Sequence, residues 1–131
     1  MRFSGLVLII LLQILSLTFL SCATPKPVLY NDGKPLTITE YEKLAQAEYD
    51  EARYENAIEA YRALIENYPE NQKAMAWAYY EIGFCYFVLK DYDNAEVNFR
   101  KVLNEFQEPA AKKLAGQTIV KIEQEKEKKE K

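Results

Sequence analysis

The sequence predicts an all-α fold of antiparallel helical hairpins, and three observations carry that expectation. From residue 39 onward apolar residues recur three and four apart through successive segments, the spacing of one helix face. Glycine and proline are scarce: four and five in 131 residues, with three of the prolines before residue 36. The tetrad Tyr54-Glu55-Asn56-Ala57 returns as Tyr92-Asp93-Asn94-Ala95, so the helical part contains an internal repeat.

Residues 1–21 read as an export signal. One positive charge, Arg2, precedes Leu6 to Leu20, a run broken only by Gln13, Ser16 and Thr18. At 15 residues the run is shorter than the ~20 of a membrane span. The sequence Phe19-Leu20-Ser21-Cys22 follows, with no basic stop signal behind it. An apolar pair, a small residue and a cysteine resemble the bacterial lipobox, although Phe19 stands where leucine is commonest. That resemblance implies cleavage before Cys22 and acylation of Cys22, and two or more acyl chains anchor a protein stably where one does not. Alanine rather than aspartate at position 23 is similar to lipoproteins sent to the outer membrane. An uncleaved signal anchor and an ordinary signal peptide cut elsewhere stay open as alternatives.

Residues 22–38 read as the lipidated cysteine and a flexible tether. Pro25, Pro27 and Pro35 block helix, and Asn31-Asp32-Gly33 is a turn signal. The helical domain is expected over 39–122. Thr39 with Glu42 fits a capping box for the first helix, which runs to about Glu51 through Tyr41, Leu44, Ala45 and Tyr49. A second helix spans about Glu55 to Tyr68 and ends at Pro69. A third runs from near Asn71 to Leu89, and a fourth from about Tyr92 to Phe106. Pro109 opens a last helix, since the first turn tolerates proline. Residues 123–131, nearly all Glu and Lys, read as a charged, solvated helical tail.

The repeat extends beyond its tetrad. Ala57, Tyr61 and Leu64 parallel Ala95, Phe99 and Val102; Tyr41, Leu44 and Ala45 parallel Tyr79, Ile82 and Gly83. Small residues at 45, 57, 83 and 95 let paired helices approach closely, while the aromatic residues fill the space between them. The pattern resembles the tetratricopeptide repeat, whose period is ~34 residues. Here the interval is 38, from Ala57 to Ala95. The chain offers two repeats and a capping helix. Ala52 and Lys90 stand where that family most often has glycine, and Pro109 comes two residues later than a closing proline would. With the lipobox, the repeats resemble the tetratricopeptide lipoprotein of the outer-membrane β-barrel assembly machinery, and periplasmic tetratricopeptide proteins that coordinate envelope synthesis. This chain is shorter than either.

The resemblance implies a partner-binding concave face made by the first helix of each unit. On this sequence those positions are Trp77, Tyr80, Glu81, Phe84 and Phe87, with Val88, and Tyr49 and Gln46 with Glu42, Lys43 and Asp50 from the first unit. Lys112 and Lys113 of the last helix are further candidates. Trp77, Tyr80, Phe84 and Phe87 share one helix face, and Tyr79, Ile82, Gly83 and Tyr86 make the opposite one, so the third helix is apolar nearly all round. Its second face needs a cover. The candidates are the last helix or the Val28-Leu29-Tyr30 segment, a protein partner, and a second copy of the chain.

Other function classes are poorly served. Net charge is −3, and −4 without Arg2, so nucleic acid is not an expected partner. There is no histidine. No phosphate loop, paired-cysteine metal motif or nucleophile elbow occurs, and no cofactor or metal is expected. Acidic runs such as Glu48, Asp50 and Glu51 read as a solvated face. Cys85, between Phe84 and Tyr86, reads as a buried thiol. The expectation is a non-enzymatic, lipid-anchored adaptor of the cell envelope, on the outer membrane and facing the periplasm. Its partner belongs to β-barrel assembly or, alternatively, to a transport or wall-synthesis complex.

Overall fold

A computed structural model of the protein describes residues 24–129. The export signal, Cys22 and its lipidation therefore lie outside the described residues. A two-stranded antiparallel ribbon comes first, β1 (Tyr30–Asn31) and β2 (Lys34–Pro35), with Tyr30 opposite Pro35. Asp32 and Gly33, at φ of 49° and 73°, make its two-residue turn, the left-handed pair that a tight hairpin demands. Five helices follow: α1 (Ile38–Asp50), α2 (Tyr54–Asn67), α3 (Gln72–Val88), α4 (Tyr92–Glu105) and α5 (Pro109–Lys129). Each packs on the next, and α5 also touches α3. The architecture is all-α, two helical hairpins and a closing helix.

The cap of α1 differs from the expected one. Thr37, not Thr39, caps the helix: its hydroxyl accepts from the Glu40 amide and Glu40 returns a carboxylate to the Thr37 amide at 2.8 Å. Two overlapping Thr-x-x-Glu boxes compete here, and the earlier one also places Leu36 and Tyr41 at the staple positions flanking the first turn. Both join the first apolar cluster.

Both hairpin turns use the same device. Arg53 N–H donates to Glu48 C=O and Ala52 N–H to Tyr49 C=O, each at 2.9 Å. In the second hairpin Asp91 N–H donates to Tyr86 C=O and Lys90 N–H to Phe87 C=O. These are Schellman closures, and they require a left-handed residue just past the helix. Ala52 (φ 57°) and Lys90 (φ 61°) occupy those places without being glycine. Asn71 and Asp91 cap α3 and α4 through their side chains.

The core falls into two clusters that meet at α3. Hairpin α1–α2 supplies Tyr41, Ala45, Ala57, Ile58, Tyr61 and Leu64 to the first, and α3 adds Ala74, Ala78, Ile82 and Cys85. The second contains Ala95, Phe99, Val102 and Phe106 with Ala111, Ala115, Ile119 and Ile122 of α5, and Ala76 of α3. A helix sandwiched between two clusters has no polar face to spare, which explains the apolar circumference of α3. The small residues act as anticipated: a Cβ at Gly83 would lie 2.9 Å from the Phe99 ring.

One segment departs from expectation. Residues 25–36, read as a flexible tether, lie on the first hairpin. Asn56 Nδ2 donates to Pro25 C=O (2.8 Å), the Tyr41 hydroxyl to Leu29 C=O (2.9 Å) and the Tyr68 hydroxyl to Leu36 C=O (2.8 Å). Prolines exclude helix but do not prevent docking, and their extended backbone leaves carbonyls free to accept. The charged tail is helical and mostly exposed, as expected. Residues 123–129 continue α5 alongside α4, where Lys126 Nζ meets Asp93 (2.7 Å) and Glu96 (3.2 Å), and Lys129 lies 5.0 Å from the centre of the Tyr92 ring.

Candidate partner-binding cleft

The first helices of the two hairpins, α1 and α3, flank a cleft of about 440 Å³. Its floor is apolar: Tyr61 and Leu64 of α2, with Ala74 and Ala78 of α3, all buried. Thr39, Glu42, Lys43 and Gln46 of α1 form one wall. Trp77 and Glu81, one turn apart on α3, form the other.

The seven residues expected at a binding face divide. Trp77, Glu81 and Gln46 line the cleft, with Gln46 donating its amide to Asp50 at 2.7 Å. Tyr80, Phe84, Phe87 and Tyr49 do not. They form a half-buried aromatic ladder beside it. Tyr49 meets Tyr54 and Phe84, with ring centroids 5.2 and 6.2 Å apart. Phe84 stacks on Tyr80 and Phe87, while Tyr80 meets Phe99 and Phe87 meets Tyr92 at a tilt. The cover over this stripe is thus in large part internal: the rings of α4, Tyr49 of α1, and α5, whose Thr118 opposes the upward push that burial gives the Tyr80 phenol. The Val28-Leu29-Tyr30 segment is not that cover; Leu29 packs on the first cluster, and Val28 and Tyr30 are exposed. Lys112 and Lys113 do not line the cleft.

Sequence reasoning missed the floor. Tyr61 and Leu64 had a repeat-packing role, and the same side chains show their edges to the groove. Alternation between first and second helices of the repeat was the available signal.

The electrostatics of the cleft centre on Glu81. Burial raises its carboxyl above the ordinary value, and no hydrogen bond or ion pair reaches it among the described residues. Burial also pushes the Tyr61 phenol well up, with Glu81 adding to the effect. Glu48, on the far side of α1, shows the contrary case. Arg53 Nε at 2.5 Å holds its carboxyl below the usual range, and Asn56 Nδ2 donates to it at 2.9 Å. Burial pushes the Cys85 thiol up to about 12, with the Glu81 charge adding to it. A thiol so placed is protonated and unreactive. Among the described residues no group of three His, Cys, Asp or Glu side chains is placed to hold a metal ion, and no helix is long and apolar enough to cross a membrane.

No curated protein and no solved structure matches the chain significantly. The family model of the tetratricopeptide repeat matches residues 41–71 and 77–108, which correspond to α1–α2 and α3–α4. Such repeats are protein–protein interaction modules. The two helical hairpins of this chain are tetratricopeptide repeats.

Proposed function

We propose that the protein is a non-enzymatic adaptor of a bacterial cell envelope, lipid-anchored at Cys22, that holds a protein partner in the cleft between α1 and α3. One observation supports the docking role above the others: the cleft is lined by the first helices of both repeats and presents a tryptophan, a carboxylate unpaired among the described residues and a polar rim around an apolar floor. Large aromatic side chains at such positions are favoured anchors for partners. The apolar run ending in Leu20-Ser21-Cys22 supports the anchor.

Outer-membrane β-barrel assembly is the complex we favour, by likeness of lipobox and repeats; the other reading is an accessory to a transport or wall-synthesis complex. Anchor and docking combine tightly. Two residues lie between Cys22 and Pro25, so three chain steps limit their separation to about 10 Å. With residues 25–36 laid on the first hairpin, a lipid at Cys22 would hold the domain close to the membrane rather than at the end of a leash.

Two experiments test the proposal. A palmitate analogue should label the native chain in cells and leave the Cys22→Ser variant unlabelled; equal absence of label removes the anchor. The tagged chain, extracted in neutral detergent, should co-purify with the barrel-assembly protein and lose it on Trp77→Ser with helicity unchanged. Co-purification of a wall synthase or a transporter's binding protein instead selects the alternative complex. Retention of the partner by Trp77→Ser removes the cleft.

A further inference from the structure

Glu81 occupies an unusual position in the cleft. It is half-buried beside an apolar floor, yet no cation among the described residues meets it. A charge withdrawn from water without a partner is costly, and proteins ordinarily pair it. The chain has a candidate partner at hand and does not use it: Lys43 sits on the facing wall, exposed, with no ion pair among the described residues. Elsewhere in the fold Glu48 is met by Arg53 and Asn56, and Glu96 by Arg100 and Lys126.

The surroundings of Glu81 favour one kind of visitor. Trp77 lies one turn before it on the same wall, and indole is the aromatic face to which cations are most strongly drawn. Glu42 adds a second carboxylate on the facing wall, so the acids of the cleft outnumber its single cation, Lys43. Tyr61, Leu64, Ala74 and Ala78 supply an apolar floor for an aliphatic stem, the part that lysine and arginine bury while their charge stays at a polar tip. The volume of about 440 Å³ falls within the ~300–1,000 Å³ of ligand pockets, room for a long side chain and part of its neighbours.

We propose that the cleft receives a lysine or arginine side chain from an extended segment of the protein partner, with the Glu81 carboxylate as its counter-ion and the Trp77 ring against its charge. This deepens the docking role proposed above and rests on it. The segment read is basic, and an acidic peptide is rejected by Glu42 and Glu81 together.

Trp77 is the only tryptophan in the chain, so its emission reports on the cleft directly. The test uses the full-length chain in a neutral detergent micelle and two capped pentapeptides, Leu-Ala-Arg-Ala-Leu and the same peptide with citrulline, which keeps the shape of arginine and lacks its charge. The arginine peptide should shift Trp77 emission saturably and bind at least tenfold more tightly than the citrulline peptide. Glu81→Gln should abolish that preference while leaving helicity intact and thermal stability equal or higher, because an unpaired buried charge is removed. Lys43→Gln, on the opposite wall, should keep the preference. Equal binding of the two peptides overturns the inference but leaves the cleft a docking site. Preference that survives Glu81→Gln overturns it as well. Silence of Trp77 toward both peptides overturns it too, and the Trp77→Ser co-purification then decides whether the docking role falls with it.

Discussion

Gly83 is the residue on which the second repeat closes. A methyl group there would press on the Phe99 ring at 2.9 Å and on Asn98 Cβ at 3.2 Å, and Phe99 is fully buried, so the ring has nowhere to go. Gly83→Ala should therefore destabilise by about 1–3 kcal/mol, the ordinary cost of overpacking, despite the ~1 kcal/mol that alanine gains in helix propensity. Urea unfolding measures it; a neutral or stabilised variant would show that the Phe99 ring yields. Ala52 and Lys90 pose the reverse case. Each holds a left-handed conformation that costs a residue with a Cβ roughly 1 kcal/mol. Ala52→Gly and Lys90→Gly should each stabilise by about 0.5 kcal/mol, once the greater chain entropy of glycine is set against the relief. The family's preferred residue would thus suit this chain as well. Cys85 makes a chemical prediction. Its ordinary pKa of 9.0 is raised to about 12 on folding, so its contribution to stability is complete below pH 9 and is lost as pH rises from 9 toward 12. In a Cys22→Ser background no thiol should react with a disulfide reagent at pH 8 until denaturant unfolds the chain. Rapid reaction of the folded chain would contradict the burial of Cys85.

At the scale of elements, the helices were legible and the segment before them was not. Apolar spacing located all four repeat helices to within one or two residues, because each hairpin must bury one stripe of a 3.6-residue period. Pro69 and Pro109 marked their boundaries for a backbone reason that no packing can override. The start of α1 was ambiguous, since Thr37-x-x-Glu40 and Thr39-x-x-Glu42 are equally good boxes in isolation; tertiary contacts of Leu36 chose between them. Residues 25–36 were illegible in a deeper sense. Their docking depends on three side chains of α1 and α2, Tyr41, Asn56 and Tyr68, reaching carbonyls 12 to 32 residues away in sequence. Nothing in a proline-bearing segment announces that its carbonyls have waiting donors elsewhere. Removing two of those donors in Tyr41→Phe/Tyr68→Phe should loosen the segment selectively. Hydrogen exchange over residues 27–36 should quicken while the amides of α2 and α3 keep their protection, each lost bond being worth ~1 kcal/mol. Uniform loss of protection would mean that the segment and the hairpin are one cooperative unit. The Glu48–Arg53–Asn56 network beneath Pro25 adds a pH dependence. Because Arg53 holds the Glu48 carboxyl below its ordinary 4.5, the network stabilises above that pH and is lost as pH falls through the lowered value.

For the whole molecule, two repeats suffice because α3 is shared. Its one side completes the core of the first hairpin and its other side that of the second, and α5 covers the end that a third repeat would otherwise occupy. The groove-facing set was half legible in the sequence. Spacing placed Trp77, Tyr80, Glu81, Phe84 and Phe87 on α3 correctly, but a helix face is not a surface. Which part of that face stays open depends on how far α4, α5 and Tyr49 reach over it, and only the packed molecule fixes that. The outcome opens a cleft at Trp77 and Glu81, opposite Gln46, and leaves Tyr80, Phe84 and Phe87 half-buried beside it. The docking role requires that opening to be where a partner sits. A photo-reactive amino acid introduced in cells at Gln46, on the wall of the cleft, and separately at Val97, exposed on α4 away from it, tests this most directly. The prediction is a discrete crosslink from position 46 to one envelope protein, abolished by Trp77→Ser, and none from position 97. A crosslink to that protein from position 97 with nothing from position 46 would contradict it.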